Sequence, residues 1–158
     1  MGILSPDMQR VVRQQRLGFV ATVGPDGMPN LSPKATTDVW DDDHLWFADI
    51  CSPQTTANIR AGSWVAINVV DQFIRKGYRF NGPAEVHGPA TAAFEDGTAR
   101  MRAGGSALVH RVAGIVVIEV RDAAPLVSPA YDDGTLTEDD VRALHTARFA
   151  RLNEDAGD

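Results

Sequence analysis

Only one cysteine, Cys51, occurs in the 158 residues. No intramolecular disulfide can therefore form, and a reducing, cytoplasmic setting is the economical expectation. Long apolar runs are missing as well. A charge, a proline or a glycine interrupts each one, and the opening "MGILSPDMQRVVRQQR" has no apolar signal core, which argues against a membrane span or a secretory leader. Gly2 invites comparison with a myristoylation signal, but Ser5 stands one position too early for that pattern. Positive charge is scarce: 15 Lys and Arg face 21 Asp and Glu, a net charge of -6. That balance opposes nucleic acid and anionic membrane, while leaving room for a local site that binds one small anion. Also absent are a nucleophile elbow, a metal-spaced His/Cys cluster and a G-x-G-x-x-G after a strand. No internal repeat, low-complexity run or linker divides the chain.

What is present reads as one folded domain over residues 1–158, with 44% hydrophobic and 23% charged residues, enough to bury a core without staples. Ser5-Pro6-Asp7 has the chemistry of a helix start: a capping hydroxyl, proline at the first helical position and an acid in the first turn. This predicts a short helix over about residues 6–16 that ends near Gly18. "FVATV", "GPDG" and "MPNLS" predict a hairpin. "DVW", "LWFADI", "WVAINVV", "YRFNGPAEVHG" and "GIVVIEV" are rich in branched and aromatic residues and read as strands. The Gly82-Pro83 step suits a bulge or an edge. "CSPQTTANIRAG" reads as a short helix between strands, capped by Ser52, opened by Pro53 and closed by Gly62. "AFEDGTARMRAGGS" has helical character broken by Gly97 and Gly104-Gly105. Thr137, followed by Glu138, Asp139 and Asp140, caps a C-terminal helix over about residues 137–152, with Val141, Leu144 and His145 near one face. The sum is an antiparallel barrel over about residues 18–128, of at least six strands, with peripheral helices.

One constellation bears on ligand binding. "SPQTT" begins a helix whose first N–H groups and dipole suit a phosphate. Gln54, Thr55 and Thr56 can add side-chain donors, and Lys34 on a neighbouring strand can add a full charge. An ordinary cap beside a solvated lysine would have the same sequence, and spacing alone does not separate the two. Asp41, Asp42, Asp43 and His44 read as a polar turn and not as a metal site, and His87, His110 and His145 as scattered surface or hydrogen-bonded residues. Trp40, Trp46, Trp64, Phe73 and Tyr78 read first as core, then as pocket or subunit seam.

"LGFVATVGPDGMPNLSPK", "LWFADI", "SPQTTANI" and "RKGYRFNG", in that order, resemble the FMN-binding split-barrel flavoproteins of the pyridoxamine 5'-phosphate oxidase-like superfamily. The likeness runs from about Leu17 to about Gly88 and continues loosely through "VVIEV" and "PLVSPAYD". It implies a mainly β, six- to eight-stranded antiparallel Greek-key split barrel that forms a homodimer, with an FMN in each of two grooves at the subunit interface. Carried over by position, it puts Ser32, Pro33, Lys34 and Ala35 on the strand facing the flavin, and Phe47, Ala48 and Asp49 beside the isoalloxazine. Gln54 and Thr55 would lie at the phosphate, Asn58 would tie the helix to the barrel, and Lys76 and Arg79 would belong to a basic stretch near the groove.

The implied activity is oxidoreduction of a small molecule. The flavin carries the electrons, so no catalytic side chain need be named. Two departures from the family pattern are Gln54 and Asn81, where relatives often carry a basic residue. They keep open a flavin carrier without its own substrate, or a barrel adapted to heme, a deazaflavin or a biosynthetic intermediate. No pyridoxal-phosphate substrate signature is present, so the activity that names the superfamily is not expected to carry over.

Overall fold

The computed structural model describes residues 2–155. Helix α1 (Pro6–Gln15) is capped by the Ser5 hydroxyl, which accepts from the Met8 N–H, and it stops where Arg16 turns left-handed at φ 54°. Strands β1 (Gly18–Val23) and β2 (Pro29–Lys34) form the first hairpin. They are followed by β3 (Asp38–Val39), β4 (His44–Asp49), α2 (Pro53–Arg60), β5 (Val65–Asp71), β6 (Lys76–Gly82) and β7 (Ala84–His87). Helix α3 (Ala92–Ala103), β8 (Gly114–Glu119), β9 (Asp122–Val127) and α4 (Glu138–Asp155) complete the chain. The nine strands make two antiparallel sheets, β2-β1-β5-β6-β9 and β3-β4-β8-β7. They face one another without closing, as a split barrel does.

The core lies between the sheets. Val20, Ile67, Val69 and Phe80 from the first meet Leu45, Phe47, Val116 and Ile118 from the second, and Val12 of α1 plugs one end. Each comes from the inward half of a strand's alternation, so a one-residue slip of register would turn the whole set to water. A second cluster of Trp46, Ala48, Met101 and Ile115 lies on the outer side of the four-stranded sheet, under α3.

Two glycines adjust the expectations drawn from sequence. The Gly82-Pro83 step does not bend one strand; it ends β6 in one sheet and starts β7 in the other. A Cβ at Gly82 would collide with the Glu119 carbonyl of the strand it crosses, which is why the chain can change sheets there only without a side chain. Gly97 does not break α3, which runs unbroken from Ala92 to Ala103. A Cβ at that position would lie 2.7 Å from the Ile115 side chain, so the missing methyl lets the helix settle on β8. Strand β9, beside β6 at the sheet's edge, has no local strand signal. Its "DAAPLV" is held by pairing with β6, including Tyr78 opposite Pro125.

Candidate functional site

Three elements converge on one groove: the end of β2, the end of β4 and the start of α2. Strand β2 is one of the two edges of the five-stranded sheet. Its pairing sets Lys34 opposite Gly18, Ser32 opposite Val20 and Asn30 opposite Thr22. Paired residues share a face, so Asn30, Ser32 and Lys34 point to the interior side, and Pro29, Leu31 and Pro33 to the outer one with Phe19, Ala21 and Val23. The chain then turns through Ala35 and Thr36, and Ser32 through Thr36 line the groove together with Ala48, Ile50, Cys51, Ser52 and Leu108.

Lys34 is the charged group of this groove. It is only 5% exposed, its ammonium hydrogen-bonds the Ser32 hydroxyl, and it sits 5.6 Å from the centre of the Phe47 ring. Burial pulls its pKa below the ordinary lysine value, and the Asp49 carboxylate and the Cys51 thiol partly offset that pull. An ammonium carries three donors and here has one hydrogen-bond acceptor among the described residues, an arrangement that costs free energy unless an anion completes it.

The start of α2 offers matching donors. The Ser52 hydroxyl makes no capping bond, and Pro53 has no N–H, so the first N–H groups of the helix, those of Gln54 and Thr55, have no side-chain cap. Asp49 shapes this end from below. It is nearly buried and accepts from the Ser52 N–H at 3.0 Å, while its own carbonyl accepts from the Ala113 N–H at 2.8 Å.

The side chains of Gln54 and Thr55 are turned to a different task. The Asn30 amide donates to the Thr22 and Thr55 hydroxyls at 3.1 Å each, the Asn58 amide donates to Thr22 at 3.1 Å, and the Gln54 amide donates to Asn58 Oδ1 at 2.7 Å. This chain of hydroxyls and amides, in which Thr22, Thr55 and Asn58 are buried, ties α2 to the β1–β2 hairpin. Thr56 donates to the Ser52 and Pro53 carbonyls. Both side chains thus have partners within the protomer, and the groups of α2 left without a side-chain cap are the backbone N–H groups of Gln54 and Thr55.

Of the residues singled out from sequence, Ser32, Pro33, Lys34, Ala35 and Ala48 meet at the groove, with Asp49 and the start of α2 beside them. Phe47 alternates to the opposite side of β4 and is fully buried in the core, where it underlies Lys34. Lys76 and Arg79 do not join the groove within one protomer. The Lys76 ammonium donates to Glu138 at 2.8 Å and lies 4.2 Å from the centre of the Tyr131 ring, which fastens α4 across β6. Arg79 donates to Asn68 at 3.1 Å on the outer face of the five-stranded sheet. The groove residues not singled out from sequence include Thr36, whose hydroxyl accepts from the Ala48 N–H at 2.9 Å and which stands two positions after Lys34, and Leu108, which comes from the distant α3–β8 connection and carries no local motif.

That outer face is apolar. Phe19 is 46% exposed and Leu31 66%, alongside Val23, Met28 and Trp64, a patch wider than single exposed apolar residues produce. Asp41, in the turn before β4, accepts from the Asp43 N–H and pairs with His44 at 2.7 Å. No helix among the described residues is long and apolar enough to cross a membrane.

Residues 4–127 match the family model for pyridoxamine 5'-phosphate oxidase. No curated protein matches the chain. Among solved structures, HupZ of Group A Streptococcus is similar at 28% identity and TM-score 0.70, covering 80% of this chain and 96% of that one. An FMN-binding protein from Syntrophomonas wolfei has 13% identity and TM-score 0.66, covering 77% and 84%. HutZ, the heme storage protein of Vibrio cholerae, has 16% identity and TM-score 0.61, covering 80% and 95%. At these last two identities the likeness is one of fold.

Proposed function

Since this chain belongs to the pyridoxamine 5'-phosphate oxidase family, we propose that its groove holds FMN and that the protein is a flavoprotein oxidoreductase acting on a small molecule. The observation that carries this reading is the buried Lys34 ammonium, with one protein acceptor, in a groove it shares with the uncapped start of α2. A cation and two free helical N–H groups suit a phosphate dianion, and the walls at Ala35, Ala48 and Ile50 suit a flat heterocycle. FMN, when bound, supplies the hydride and electron transfer. The chain supplies charge at Lys34, a helix end held in place by Asp49 and Asn58, and apolar walls that exclude water from the ring.

The groove is open on one side, and the apolar outer face of β2, β1 and β5 adjoins it through the same edge strand. We infer a homodimer formed through that face, with the groove completed at the subunit boundary, in a cytoplasmic setting where Cys51 remains reduced.

A visible absorption spectrum of the purified protein, repeated after adding FMN and desalting, tests the cofactor. Retained flavin bands are expected; protein that releases FMN completely overturns this reading. A second reading, heme in place of FMN, draws support from the likeness to HutZ and from the uncharged Gln54, whose amide donates to Asn58, so that among the described residues Lys34 is the one full positive charge lining the groove. It predicts a Soret band on hemin titration of protein that does not retain FMN.

A further inference from the structure

The groove is lined by chemically different side chains. Lys34 provides charge, and Leu108, from the α3–β8 connection, provides an apolar surface. Leu108 is 43% exposed, which alone is unremarkable for one leucine. Its backbone, however, is firmly held. The Leu108 N–H donates to the Ser106 hydroxyl at 3.3 Å, and its carbonyl accepts from the Arg111 N–H at 2.9 Å. The next residues, Val109 and Val112, pack against the Trp46, Ala48, Met101 and Ile115 cluster. The side chain is therefore presented to the groove from a fixed support, and the ordering cost of that backbone is already met by folding. Ala48 belongs both to that supporting cluster and to the groove lining, so support and groove share one wall.

We propose that Leu108 is a ring-contacting specificity residue: it covers the apolar face of the heterocycle, while Lys34 reads the phosphate. The inference rests on the FMN reading above and goes beyond it by assigning the ring and the phosphate to separate residues from separate parts of the chain. Riboflavin, which has the ring without the phosphate, tells the two apart.

The experiment is a set of flavin-fluorescence titrations of the wild type, Leu108→Ala, Leu108→Trp and Lys34→Ala with FMN and with riboflavin. Leu108→Ala is expected to weaken both ligands by the same factor, about tenfold for the lost apolar contact. Leu108→Trp should keep or improve affinity for both and quench the bound flavin. Lys34→Ala should weaken FMN much more than riboflavin. Wild-type protein that binds FMN, combined with a Leu108→Ala variant of unchanged riboflavin affinity, overturns the role of Leu108 and leaves the FMN reading standing. Wild-type protein that binds neither flavin overturns both.

Discussion

Lys34 shows how one side chain can link binding to pH. Its folded pKa is drawn below the ordinary lysine value, first by burial, with Asp49 and Cys51 opposing. Between the two values the unfolded chain binds more protons, so stability of the unliganded protein rises with pH across that alkaline window. On the proposed reading FMN has the opposite dependence: a phosphate held by Lys34 needs the protonated ammonium, so affinity should hold near neutrality and fall as pH rises through the lowered Lys34 value. FMN titrations from about pH 7 to about pH 10 should show this fall in the wild type and not in Lys34→Arg, whose guanidinium does not titrate there. At neutral pH, Lys34→Ala should lose about 1.5 to 3 kcal/mol of FMN binding, the usual range for a hydrogen bond to a charged group. Gly82 is a second residue with a checkable cost. Gly82→Ala places a methyl against the Glu119 backbone and should lower the unfolding free energy by more than about 3 kcal/mol in denaturant titration, because backbone on both strands must move.

At the scale of elements, α2 is positioned by polar side chains to an unusual degree. Asn58 is fully buried and links Thr22 of β1 to Gln54 of its own helix. Asn58→Ala would remove the buried amide that links Thr22 to Gln54 and should cost about 1 to 3 kcal/mol of stability. It should also weaken FMN binding although Asn58 lines no part of the groove, because the helix start would lose its fixed relation to Lys34. Thermal unfolding together with FMN titration of this variant checks both halves. Much of this level was legible beforehand. The alternation in "FVATV" and "WVAINVV" and the Ser-Pro helix starts are local chemistry, and the corresponding elements stand where those signals put them. Strand β9 was not legible, since "DAAPLV" carries a proline and little branching. Its pairing with β6 is decided by the neighbour and not by its own propensity. Nor was the role of Thr55 and Gln54, because sequence shows which groups can donate but not which way they point.

At the scale of the molecule, the outer face of the five-stranded sheet is an apolar surface that nothing among the described residues covers. Phe19 and Leu31 project there from neighbouring strands, with Arg79 and Asn68 in the same row of the sheet. Leu31→Asp should convert the proposed homodimer to a monomer in light scattering at micromolar concentration, since a charge buried at a symmetric seam meets its own copy. The same variant should bind FMN more weakly if the groove is completed at that seam. A wild-type protein that is already monomeric at that concentration would remove the dimer from the proposal.

Composition and local pattern by themselves determined the broad character of this protein: antiparallel strands with peripheral helices, with a lysine and a helix start in the same stretch of chain. These follow from short-range rules of periodicity, capping and turn chemistry, which act within a few residues. Tertiary structure alone decided the rest. It buried Lys34 with a single acceptor among the described residues, engaged Gln54 and Thr55 in tying α2 to the β1–β2 hairpin, kept Lys76 and Arg79 away from the groove of their own protomer, and brought Leu108 to that groove from the α3–β8 connection. Which face of a strand meets solvent, and which distant loop closes a groove, depend on how two sheets pack across one core, and no local window contains that information.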